Sequence, residues 1–391
     1  MKIVKKIKLK VNKTNKETFD FWMRRCRLLY NVCLDEKKYY YGTTGKSLSL
    51  YQQKKELVGL KEQDNTWKDV PNKALQEVIF RLDKSYQSFF RGNGFPKYKN
   101  EDNFNSIEFV ETDIRVKNDL VYLPKIKKGI KGYEKFPEKY NGVKLLKENG
   151  NYFLCFICDF ISEIKKINNN AVGCDLGLKT LMTDSNGYEI KRFSTKLIKK
   201  YQERIDKLNL SLSKKKKGSI RRKKVKKRLN KTYLRLKNSR NDYLHKVSSD
   251  YIKKVKEDVI VIGDLKVKEL IINDGSKKQK NFSRSYGSSA IKIFVEMLKY
   301  KSLKYGKKLV IVGEEYTSKA CSCCGNVKHS LKIKDRIYIC ENCETTIPRD
   351  INGAINIKKV YLNQFNPIGI DLKEIKRKHS LLKNCSVRAS T

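Results

Sequence analysis

The sequence predicts an α+β protein of several domains, and three observations predict it. Strand-like and helix-like hydrophobic periodicities alternate in long blocks along 391 residues, a length that suits two to four domains. Two Cys-x-x-Cys pairs, Cys321/Cys324 and Cys340/Cys343, flank the intervening stretch 325–339. Lys and Arg number 88 against 42 Asp and Glu, a formal net charge of +46. A folded chain with that surplus repels itself unless a polyanion neutralises it, so nucleic acid is the expected partner. The 39% hydrophobic content still allows real cores.

The first fifteen residues alternate Lys with apolar side chains and read as a strand with one exposed face; they lack the apolar core of a secretion signal. From 16 to about 90 the period changes. Thr18, Phe19, Phe21, Trp22, Cys26, Leu29, Tyr30, Cys33 and Leu34 are placed at three- and four-residue steps, and Ala74, Leu75, Val78, Ile79 and Leu82 repeat the pattern, so packed helices are expected. Between them YYYGTTGKS (39–47) reads as a polar loop. The Gly and Pro of FFRGNGFPKYKN (89–100) mark a boundary. Residues 96–167 are strand-like again, and with the first strand they are expected to complete one β-barrel interrupted by the helical insertion. Cys155 and Cys158 form a third CxxC inside that apolar stretch; residues three apart on a strand face opposite sides, and both are read as core thiols.

Farther on, AVGCDLGLKTLMTDSNGYEI (171–190) gives two strands and an Asn-Gly turn, a hairpin with Asp175 on its first arm. Residues 195–256 are helical and strongly basic. Leu229, Tyr233 and Leu236 carry an apolar stripe through them, which favours a pair of helices laid along a nucleic-acid backbone, with Lys223, Lys224 and Arg228 among the cations. A solvated linker or a nuclear address is the plainer reading of such a run. DVIVIGDLKVKEL (258–270) supplies a buried strand, 290–306 a helix, and 307–318 a strand entering the cysteine-rich segment.

Four soft thiolates at this spacing, in polar turn-rich sequence (CSCCGNVKHS, CENCE), bring Zn²⁺ into tetrahedral coordination. Such a closed site folds a small module and performs no chemistry. Cys323 is the spectator. No apolar run approaches the ~20 residues that span a bilayer, so no membrane association is expected. The cysteines belong to a reducing, intracellular setting, where paired CxxC means metal. Carboxylates recur near strand ends: Asp175, then Asp264, Glu314 or Glu315, then Asp350 opening the helix RDINGAINIKKVY. Three acids gathered by a sheet repel one another unless divalent cations hold them. The set is therefore expected to bind Mg²⁺, as two ions roughly 4 Å apart that activate water and stabilise a departing oxygen in phosphodiester hydrolysis. Asp350 alone also suits a helix cap.

GCDLGLKTLMT, NDYLHKVSSDYI, VIVIGDLKVKEL, EEYTSKACSCCGN, YICENC and RDINGAINI, in this order, resemble TnpB, the RNA-guided nuclease encoded by insertion sequences and similar to Fanzor proteins and compact type V CRISPR effectors. The resemblance runs through the chain and is most specific over 171–360. It implies a wedge β-barrel (1–15 and 96–167) with an inserted helical recognition domain (16–95). A RuvC-like nuclease domain of RNase H fold (168–318 and 347–365) follows, interrupted by a zinc ribbon (319–346). Residues 366–391 are read as a basic tail without order. Asp175 and Asp350 match the first and last RuvC acids. Most relatives supply the middle acid as Glu-Asp-Leu at the end of the strand equivalent to VIVIGDL; here Gly263 stands in its place. A subset that includes Fanzor takes it instead from E-x-Y-T-S, which maps onto Glu314. Strand alternation puts Val310, Val312 and Glu314 on one face and Glu315 on the other; Glu315 and Asp264 remain the alternatives.

The implied function is Mg-dependent, RNA-guided cleavage of double-stranded DNA by a transposon-associated protein, expected as a monomer, with sequence choice left to guide pairing. The rival reading is a nuclease-inactive, RNA-guided DNA-binding regulator. A non-catalytic RNA-binding zinc protein would explain the charge but not the ordered acids, and the acid spacing follows RuvC rather than a cut-and-paste transposase. Asn72 and Gln76, four apart on one helical face, offer amide pairs to base edges beside the target, and Tyr39, Tyr40 and Tyr41 offer stacking surfaces. Ordinary helix-surface and packing roles are the plainer readings of both groups.

Overall fold

The computed structural model describes residues 2–101, 103–159, 168–177, 179–264, 290–331 and 335–368, in two units, Met1–Ile161 and Ser162–Thr391. Among the described residues no helix is long and apolar enough to cross a membrane.

In the first unit, β1 (Lys2–Lys8) leads into three helices, α1 (Lys13–Thr44), α2 (Leu50–Gln63) and α3 (Asn72–Phe90). The strands β2 (Ser106–Phe109), β3 (Arg115–Lys117), β4 (Leu120–Tyr122), β5 (Ile130–Lys131), β6 (Gly142–Glu148) and β7 (Asn151–Asp159) follow. The Asn12 side chain caps α1 by accepting the Asn15 amide. The helix then runs through Tyr39–Thr44, where a loop was expected. The Thr43 and Thr44 hydroxyls donate back to carbonyls of Tyr39 and Tyr40, and Gly45, at φ 67°, ends the helix in the left-handed region that glycine enters without a Cβ clash.

Antiparallel pairing orders one sheet β1-β7-β6-β2 and a second β3-β4-β5, with a bridge from Leu9, just past β1, to Gly132. Tyr152, Leu154 and Phe156 alternate inward along β7, and α1 lays Phe19 against Tyr152 with ring centroids 5.2 Å apart. That phase corrects the reading of the third CxxC. Cys158 packs on the core, but Cys155 is out of step with Leu154 and Phe156 and lies on the other face, in register with Lys6 and Lys144.

The second unit comprises β8 (Ala171–Leu176), β9 (Thr180–Asp184), β10 (Glu189–Lys191), α4 (Thr195–Ser213), α5 (Ile220–Lys254), β11 (Val259–Gly263), α6 (Ile291–Lys304), β12 (Lys308–Val312), β13 (Ile337–Ile339), β14 (Thr346–Pro348) and α7 (Arg349–Tyr361). Its main sheet has the order β10-β9-β8-β11-β12; β8, β11 and β12 run parallel, and β9 and β10 pair antiparallel. Every residue of β11 is buried, as a strand covered on both faces requires. One face packs Cys174, Leu176, Ile260 and Ile262 against α5 and α6; the other packs Ala171, Val259, Val261, Val310 and Val312 against Ile357 of α7. A Cβ on Gly173 would lie 2.0 Å from the Ala354 carbonyl oxygen, so α7 rests on β8 closer than any side chain permits.

Helices α4 and α5 pack together. Leu229 and Thr232 turn inward on α5, whereas Tyr233, expected to continue the inward stripe, is 48% exposed. The expectation of a tail without order falls mostly on 369–391, outside the described residues.

Candidate active site and metal centre

Asp175 alternates with Cys174 and Leu176, which enter the core under α5 and α6, so its carboxylate projects to the α7 face. There it rests against Gly353, where a Cβ would come 3.2 Å from Asp175 Oδ2. Asp350 lies in the first turn of the same helix, where the macrodipole favours a negative charge. Glu314, two residues beyond the end of β12, folds over Gly263: a Cβ there would stand 2.8 Å from Glu314 Oε2 and 3.2 Å from Glu314 Cβ. A side chain at 263 and the glutamate at 314 compete for one space, and the glycine yields it. The Asp175 carboxyl is pushed up to about 8, first by desolvation, then by the negative charges of Asp350 and Glu314, with Arg349 pulling the other way.

The structure therefore brings together Asp175, Glu314 and Asp350. Asp264 secures the strand end through its amide, which donates to the Val312 carbonyl at 2.7 Å. Neither its carboxylate nor that of Glu315 is among the charges that chiefly act on Asp175.

Cys321, Cys324, Cys340 and Cys343 bring their sulfurs within 4.8 Å of one another, a set that could hold a metal ion. Two tight turns build it. Gly325, at φ 81°, donates its amide to the Cys321 carbonyl, and the Cys340 amide donates to Thr345, at 3.0 Å each. Beneath them the buried Tyr338 hydroxyl donates to Lys319 and Asn326 carbonyls. The Thr345 hydroxyl and amide lower the Cys343 thiol to about 6, while burial raises Cys321 to about 12. Cys323 is exposed.

Two residues that sequence reasoning missed tie these centres together. Asn352 and Asn356, one turn apart on α7, are 0% and 1% exposed. Asn352 accepts the Ser322 amide and donates to the Ala320 carbonyl, each at 2.8 Å. Asn356 donates to the carbonyls of Thr317 and Ala320 at 2.8 and 2.7 Å. The segment joining Glu314 to Cys321 is thus bound to the helix that carries Asp350. Their signal in the sequence was two amides at an i, i+4 step inside the small, apolar stretch INGAINI of the helix.

Lys223, Lys224 and Arg228 are exposed on α5. Asn72 is exposed at the start of α3 and accepts the Lys61 ammonium; Gln76, one turn on, is half-buried. Tyr39 and Tyr41 are largely exposed and Tyr40 half-buried.

Comparison with known proteins fits this layout. Residues 159–273 match the family model OrfB_IS605, described as "Probable transposase", and 292–357 match "Cas12f1-like, TNB domain". A Streptomyces pristinaespiralis protein named "Putative RNA-guided DNA endonuclease" is 27% identical over 348 residues, covering 85% of this chain and 82% of its own. TnpB-like protein L79 of Acanthamoeba polyphaga mimivirus is 32% identical over 199 residues, 49% of this chain and 38% of its own. A solved "mini-RNA-guided endonuclease CRISPR-Cas_phi3" is similar in fold, with a TM-score of 0.50 at 10% identity, over 94% of this chain and 93% of that one. With two family segments met in chain order and a relative matched along most of its length, this chain is similar to the OrfB_IS605 and TnpB-like proteins.

Proposed function

We propose that the protein is an RNA-guided DNA endonuclease whose hydrolytic site is Asp175, Glu314 and Asp350. The observation that carries this reading is the convergence, on one face of one sheet, of three carboxylates far apart in sequence, with Gly263 vacated for the middle one. A five-stranded sheet with Asp175 on the α7 face of β8, Glu314 beside β11 and Asp350 on α7 supports reading this unit as a RuvC-like domain of RNase H fold. Divalent cations, Mg²⁺ foremost, would be held by these three acids and would supply activation of water and neutralisation of the departing oxygen. The chain's own part is to hold the acids in place: β8 aims Asp175, Gly263 admits Glu314, and α7 presents Asp350 from a helix start.

The four cysteines are read as a structural Zn²⁺ ribbon, which fits a donor set of thiolates alone with a closed geometry. We take the first unit as the wedge barrel with its helical recognition domain, and Asn72 and Gln76 as readers of a motif beside the target. Lys223, Lys224 and Arg228 contact the guide RNA or DNA backbone. The test is purification with co-bound RNA, sequencing of that RNA, and cleavage of a matching plasmid with Mg²⁺. Absence of bound RNA overturns the guided reading, and RNA-dependent DNA binding without cleavage transfers the protein to the regulator class.

A further inference from the structure

Thr183 of β9 stands directly opposite Asp175 of β8 in the antiparallel register. Its neighbours Met182 and Asp184 face the other way: Met182 lies in the core under α5 and α6, and Asp184 accepts from the Tyr251 hydroxyl. Thr183 therefore shares the α7 face with Asp175. The turn after β9 reaches the start of α7, since a Cβ on Gly187 would lie 3.8 Å from Ile351 Cδ1, next to Asp350. Thr183 is 1% exposed, and among the described residues its hydroxyl has no hydrogen-bond partner. A buried orphan hydroxyl is a net cost that Val, equally suited to a strand and nearly identical in shape, would avoid. Directly opposed residues have Cβ atoms roughly 5 Å apart, so the hydroxyl and the Asp175 carboxylate can meet with a small rotation of either side chain.

We propose that Thr183 is a positioning residue of the acidic cluster: its hydroxyl donates to the Asp175 carboxylate and fixes the orientation in which that carboxylate ligates a divalent cation. This rests on the reading of Asp175 as a metal ligand. Partners of this kind, which hold a ligand rather than the ion, are worth 10- to 100-fold in affinity.

The test uses the full chain and Mn²⁺ as probe, with affinity read by electron paramagnetic resonance and melting temperature read without added divalent cations. Thr183→Val is expected to bind Mn²⁺ about tenfold more weakly while melting at the same or a higher temperature, because it removes an unpaired buried hydroxyl. Thr183→Ser is expected to restore affinity to within about threefold. A Thr183→Val chain that binds Mn²⁺ as tightly as the parent, or that melts several degrees lower, overturns the proposal. The double variant Asp175→Ala/Asp350→Ala separates the two levels. If it too binds Mn²⁺ normally, the acidic cluster itself is not a metal site; if it loses the ion while Thr183→Val keeps it, only the role of Thr183 fails.

Discussion

Gly263 and Glu314 form a pair across two strands, one residue defined by what the other lacks. Strand alternation was expected to separate Glu314 from Glu315, but β12 ends at Val312, short of both, and the reason a glycine ends β11 becomes visible only when the glutamate is seen folded over it. If this pair supplies the middle acid, Glu314→Ala should lower plasmid cleavage by at least about 100-fold, whereas Glu315→Ala and Asp264→Ala should stay within about tenfold of the parent. The reverse ranking in such an assay would move the role to another acid. Asp175 makes a second expectation. Its carboxyl titrates near 8 in the folded chain against an ordinary 3.8, so between those values the folded state keeps a proton that the unfolded state has released. Stability therefore falls as pH rises through that window. Asp175→Asn removes the term: without divalent cations its melting temperature at pH 8 should exceed that of the parent by about 3 °C or more, and near pH 4 the two should coincide.

At the scale of elements, α7 is the joint of the second unit. It packs on β8 through Gly173, carries Asp350 in its first turn, and grips the 317–322 segment with Asn352 and Asn356. Asn356→Ala would leave the Thr317 carbonyl without its buried donor, at a cost of about 2 kcal/mol. The expected result is a melting temperature lower by about 4–8 °C and faster amide exchange confined at first to 317–322. The cysteine cluster should act on the acids through the same segment. Cys340→Ala is expected to lose bound zinc and most cleavage with every carboxylate intact, as metal analysis alongside the plasmid assay would reveal. Most elements were legible because their periodicity is long and regular: the packed stripe of α1, the buried run of β11 and the paired CxxC turns. What escaped was set by single contacts. Two threonines and a well-placed glycine carry α1 through YYYGTT, and on α5 it is Thr232 rather than Tyr233 that turns inward.

For the molecule as a whole, charge is the property the sequence states most plainly, because it needs no folding to be counted. With a net +46, association with RNA should be dominated by counterion release. The apparent affinity should fall by about 10³ or more between 50 and 200 mM salt. A flat salt response in filter binding would mean that the cations face elsewhere. The order of strands, by contrast, was not legible. Nothing in the local pattern says that β11 inserts between β8 and β12, and it is that insertion which draws three distant acids together. The separation of those acids along the chain has a temporal side. Synthesis runs from residue 1 at about 5–20 residues per second, so the basic surface of α4 and α5 emerges well before Asp350, the last acid of the cluster. A nascent or prematurely terminated chain can attract polyanions while its acidic cluster is still incomplete, which delays any hydrolytic competence until Asp350 has been made.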